Sequence, residues 1–133
     1  MKFNMPHIIA NCIRTPDGTL LRSRHRHDYV YYVDDNDHSY SVDGGMDYLK
    51  RSHSVNAPPA TECSVYSDDT HSNIRKVFEW GTRGKTGQDP LTYLVLKNMD
   101  TEHIVNILLT QKQISDHVRD IFTDELVYRS QDD

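Results

Sequence analysis

Apolar positions alternate in short runs through the first half of the chain and fall at helical spacing only near its end. Ile8–Thr15 and Thr19–Ser23 read as strands flanking Pro16-Asp17-Gly18, where proline presets φ and glycine accepts positive φ. Asp28–Asp34 and His38–Val42 flank a second turn signal, Asp35-Asn36-Asp37. Tyr29, Tyr31 and Val33 share one face of the first of these strands, and Val30 and Tyr32 share the other. With both faces apolar or aromatic, that strand is expected to lie at the centre of its sheet or at an interface. Gly44-Gly45 closes the unit, and Met46–Arg51 predicts a single helical turn. Residues 52–73 read as a linker or surface loop, with Cys63–Tyr66 as a short strand inside it.

A second hairpin pattern follows, Ile74–Gly81 and Leu91–Leu96 around the long, glycine-bearing loop Thr82–Pro90. Asp100 is an N-cap candidate for a helix over 101–111, which turns Ile104, Ile107, Leu108 and Leu109 inward. Ser115 does the same for a helix over 116–129, with Val118, Ile121, Phe122 and Leu126 on one stripe. Strands first and helices last predict an α+β fold, an antiparallel sheet built from β-hairpins with two C-terminal helices packed on it. A single domain over 1–133 is expected: a β-rich half 1–51, a loop 52–73, a hairpin plus two helices over 74–129, and a short tail 130–133.

Composition narrows the function classes. Only 36% of residues are apolar, which suits a small fold or one completed by self-association, and eight tyrosines point the same way, to a homo-oligomer. The formal charge of −5 leaves no basic footprint for phosphate-driven nucleic-acid binding. Acidic residues are interspersed with basic ones, which argues against a nucleic-acid mimic. Cys12 and Cys63 stand far apart without metal-ligand spacing. Met1–Ile8 lacks the apolar core of a signal peptide, and no stretch is long enough to span a bilayer, so the expectation is a soluble, intracellular protein with no membrane partner.

The candidate chemistry is concentrated in residues 22–51. Arg22, Arg24 and Arg26 alternate with Ser23, His25 and His27, so on a strand one face would carry arginines and the other histidines. His25 and His27 with Asp28 or Asp43 resemble part of a metal set, but two histidines without a metal motif fit hydrogen bonding within a turn at least as well, and no metal or cofactor is implied. Arginines suit phosphate and tyrosine suits a base, so an anionic, nucleotide-like ligand is the competing reading against a solvated, charge-protected edge. On that reading Arg24, Arg26 and Arg51 meet phosphates, His25, His27 and Asp43 meet hydroxyls, and Tyr29 or Trp80 stacks on the base.

Gly81-Thr82-Arg83-Gly84-Lys85-Thr86-Gly87 has the flavour of a phosphate loop. It is not a Walker A motif, because Glu79 stands where the first glycine belongs and the segment joins two strands instead of opening a helix. A hairpin loop is the simpler reading, although Arg83 and Lys85 beside Trp80 suit an anion. No G-x-S-x-G is present, and neither cysteine adjoins a histidine. Glu102-His103, Asp116-His117 and Asp124-Glu125 with Arg129 read as solvent-facing pairs.

The string Ser23…His27-Asp28-Tyr29…Val42-Asp43-Gly44-Gly45…Tyr48-Leu49-Lys50-Arg51 resembles a pattern in small accessory proteins of tailed bacteriophages. The second half, with its W-G-x-x-G-K-x-G hairpin and D-x-[DE]-H-I-x-x-I-L helix, is similar to phage sequences as well. Some such relatives carry cysteine pairs at hairpin tips; this chain has only Cys12 there, so no structural zinc is carried over. The resemblance implies a non-catalytic anti-defence protein in the host cytoplasm. By analogy with proteins that sequester nucleotide messengers of TIR-domain enzymes, its ligand would be of ADP-ribose type. A protein-binding inhibitor of a host factor, and a metal-assisted nucleotide-processing enzyme using His25, His27 and Asp28, are the alternatives.

Overall fold

The computed structural model describes residues 5–131 and is mixed α+β, with antiparallel sheets made from hairpins and two C-terminal helices. The start of the N-terminal segment and the end of the predicted tail (1–4 and 132–133) lie outside the described residues. The chain divides into two compact units, Met1–Asp68 and Asp69–Asp133, with the boundary inside the stretch read as a loop. Among the described residues no helix is long and apolar enough to cross a membrane.

Unit 1 is all β. Strand β1 (Ile8–Arg14) pairs with β2 (Leu20–Ser23) on one side, and on the other with two short strands, β6 (Thr61–Glu62) and β7 (Val65–Tyr66), with a register shift between Ile8 and Ala10. Having partners on both edges, β1 is buried from Ile9 to Ile13. A second sheet has the order β3 (Val30–Val33), β4 (Ser39–Asp43), β5 (Lys50–His53). Ile13, Leu21, Tyr40 and Val42 form the core cluster, with Val30, Tyr32, Ala57 and Ala60 against it.

Three expectations change here. The strand expected at the centre of its sheet or at an interface, β3, is an edge strand, which excludes the first alternative: Val30 and Tyr32 cover the core, while Tyr29, Tyr31 and Val33 are 60%, 57% and 46% exposed. The helical turn expected over Met46–Arg51 shrinks to a turn at 45–47, because Asp43↔Lys50 pairing pulls the chain back into β5. The presumed loop supplies β6 and half of β5, whose brevity hides them from any periodicity argument, while β7 falls within the short strand expected over Cys63–Tyr66.

Unit 2 holds helix α1 (His71–Val77), the hairpin β8 (Glu79–Thr82) and β9 (Thr92–Val95), a 3₁₀ turn (Leu96–Asn98), and helices α2 (Thr101–Thr110) and α3 (Asp116–Ser130). Ile74–Gly81 therefore contains a helix where a continuous strand was expected. Thr70 caps it by accepting from the Asn73 N–H at 3.3 Å, and Ile74 and Phe78, four residues apart, both enter the core. Thr70→Ala is expected to lower unit 2 stability by about 1 kcal/mol, read as a lower urea midpoint at unchanged slope.

Phe122 is the centre of this core, with Phe78 and Trp80 edge-on at 5.6 and 5.4 Å. Ile104 and Ile107 are buried as predicted, but Leu109 is 68% exposed. Asp100 and Ser115 occupy the expected cap positions, though neither side chain bonds a helix N–H; Ser115 Oγ instead meets His117 Nδ1 at 3.1 Å.

Candidate functional site

The motif residues of unit 1 converge on one polar corner. Asn11, fully buried in β1, donates from its amide nitrogen to the carbonyls of Asp43, Gly45 and Tyr48 at 2.9–3.0 Å. Ser23 Oγ accepts from the Gly45 N–H and donates to the Asp28 carbonyl. Asp28 accepts the Arg24 N–H through Oδ2, and the Asp28 N–H donates to the His25 carbonyl. His25–Asp28 is therefore a turn and not the strand on which the two histidines would share a face. His27 sits at φ 64°, with Nδ1 2.8 Å from the Tyr48 hydroxyl, while His25 contacts Asp28 only at 3.9 Å.

Arg51 clamps this corner to neighbouring segments. Its guanidinium forks onto Glu62 and also donates to Asn11 Oδ1 and Ser64 Oγ at 3.0 and 2.8 Å. The Arg51 bonds hold the Glu62 carboxyl down to about 2. Asp43 Oδ1 and Arg51 Nε are buried without a hydrogen-bond partner among the described residues. Of the predicted ligand residues, Asp43 and Arg51 thus hold the corner together, whereas Arg24, Arg26, His25, His27 and Tyr29 lie exposed along its rim. Among the described residues no group of three or more His, Cys, Asp or Glu is arranged to hold a metal ion.

The remaining predicted residues, Trp80, Arg83 and Lys85, meet in unit 2. They line a cleft of about 870 Å³ between the β8–β9 hairpin with its loop and the outer face of α2, which adds Glu102, His103 and Asn106. The loop is built for this placement: Gly84 takes φ 78°, the Gly87 N–H donates to the Gly84 carbonyl, and the Asp89 N–H donates to the Arg83 carbonyl. That closed turn presents Arg83 and Lys85 to solvent at the cleft's rim, while the Trp80 ring, braced edge-on by Phe122, is half-buried in its wall. Glu102 and His103 read from sequence as a solvent-facing pair, and no local signal shows that α2 faces the loop.

Sequence reasoning also missed the most buried charge. Glu125, read as half of an exposed pair with Arg129, is 0% exposed. Its carboxylate accepts from Arg75 Nε and Nη2, both at 2.9 Å, and from Arg129 Nε at 2.7 Å, and it meets His71 Nε2 at 2.9 Å. Burial, the largest effect, opposes its ionisation, yet the bonds from Arg75, Arg129 and His71 outweigh it and hold the carboxyl down to about 2. The Tyr128 ring lies over the Arg75 guanidinium at 4.3 Å. Arg129 reaches on to Thr101 Oγ1 and the Leu96 carbonyl, so the cluster ties α1, α2, α3 and the 3₁₀ turn together. Its bonds join these elements to one another, which makes it structural.

No protein-family model, curated protein or solved structure matches the chain.

Proposed function

We propose that the protein is a non-catalytic binding module that captures a nucleotide-derived anion, of ADP-ribose type, in the unit 2 cleft. The supporting observation is the convergence of an aromatic wall (Trp80), two loop cations (Arg83, Lys85) and polar groups on α2 (Glu102, Asn106) around one cleft. Each meets a different part of such a ligand: the ring offers a stacking face, the cations suit phosphates, and the acidic and amide groups suit ribose hydroxyls. The cleft has the size range of small-molecule sites. Sequestration of a host immune signal by a phage-encoded protein is the biological form of this proposal, and rests on the sequence resemblance.

Titration with ADP-ribose, followed by fluorescence of Trp80, the single tryptophan, is expected to saturate. Arg83→Ala and Lys85→Ala, both on an exposed loop, are each expected to weaken binding by about tenfold while leaving the melting temperature unchanged. Mass spectrometry of the released ligand is expected to return it intact. Saturable binding that neither substitution weakens, or no retention of any phosphate-bearing nucleotide from a metabolite extract, would overturn the assignment.

A further inference from the structure

The edge strand β3 carries a feature that ligand capture does not use. Tyr29 and Tyr31 stack on each other outside the core, centroids 6.2 Å apart and planes 17° apart, and Val33 continues the same exposed stripe. The two ends of this strand carry opposite charge. Before it, the 25–28 turn exposes Arg26; Asp28 accepts the Arg24 N–H and lies 3.9 Å from His25. After it, Asp34 is buried and turns inward, its Oδ1 accepting the Asn36 and His38 N–H groups, which leaves Asp35 and Asp37 as exposed carboxylates.

We propose that this stripe is the contact of a two-fold homodimer in which β3 lies antiparallel to the partner's β3. The charge order decides the occupant. A two-fold axis at Tyr31 sets Tyr29 beside the partner's Val33 and brings Arg26 against the partner's Asp35 and Asp37. Opposite charges then meet at both ends, whereas a parallel arrangement would set like charges together. Exposed aromatic side chains at the centre with charged residues at the rim is the usual layering of an interface. Three side chains make a contact smaller than an obligate interface, so the dimer is concentration-dependent.

Sedimentation equilibrium of the full chain over a wide concentration range tests this. The wild type is expected to dimerise reversibly, and more weakly at high salt. Tyr31→Arg is expected to be monomeric with an unchanged far-UV spectrum. Arg26→Asp and Asp35→Arg, each on an exposed turn, should each weaken the dimer by about tenfold, and the double variant should recover most of that loss. A monomer at every concentration, a dimer unmoved by Tyr31→Arg, or a double variant as weak as the two singles combined would each overturn the proposal. The charge variants keep the test decisive should Tyr31→Arg not fold.

Discussion

Glu125→Ala is expected to destabilise unit 2 by about 3–5 kcal/mol, the cost of leaving buried cations without their counter-charge. The substitution removes the shared acceptor of Arg75, Arg129 and His71 at a position with no solvent access to replace it. Trp80, in the same unit and against Phe122, reports the transition directly by fluorescence during urea unfolding. The same site sets an acid limit. The folded carboxyl lies near 2 against an ordinary 4.5, so the unfolded chain binds the proton more readily, and stability falls as pH drops. The contribution is fully present above about pH 4.5 and is lost as pH approaches 2, a total of about 3 kcal/mol. Glu125→Gln should flatten that acid limb. A Glu125→Ala midpoint within error of wild type would show that the cluster does not support unit 2.

Gly45→Ala is expected to have a comparable effect on unit 1, about 3 kcal/mol or more. At φ 53° a side chain is merely uncomfortable, but here a Cβ would stand 2.3–2.5 Å from the backbone C, Cα and O of His25. Backbone cannot swing aside as a side chain can. The two bonds through Gly45, to Asn11 and Ser23, would be lost as the corner opened. Gly18→Ala separates the two effects: φ is 90° there, yet nothing lies within 4 Å, so only backbone strain of about 1–2 kcal/mol remains. Near-UV dichroism of the buried Tyr40 and hydrogen exchange across 39–53 measure both variants. Equal losses at Gly18 and Gly45 would mean that the close approach to His25 contributes nothing.

The close approach also explains why the motif in residues 23–51 reads as chemistry from sequence. Ser23, Asp28, Asp43, Gly45 and Arg51 are polar and glycine-rich as binding loops are, but most of their bonds run to one another, to Asn11 or to Glu62 and Ser64. Asn11 itself gave no signal, being one polar residue in an apolar strand. The reverse holds in unit 2. The loop with Arg83 and Lys85 failed as a phosphate motif, yet its residues line a cleft whose other wall comes from α2.

Where the structural cause is local, the sequence shows it. Pro16-Asp17-Gly18 and Asp35-Asn36-Asp37 mark their hairpins because turn φ values depend on a few adjacent residues, and Ile104, Ile107, Ile121 and Phe122 mark the inward faces of α2 and α3 because helical period is intrinsic to the backbone. Helix α1 escaped because seven residues span too few turns to establish a period. Pairing order, burial of charge and the cleft were decided only by tertiary structure. Glu125 and Arg129 are neighbours by helical spacing and were legible as a pair, but whether the pair is exposed depends on Arg75 and His71, 50 and 54 positions away. Side-chain burial is a property of what folds over a residue, and a short window of sequence does not contain it.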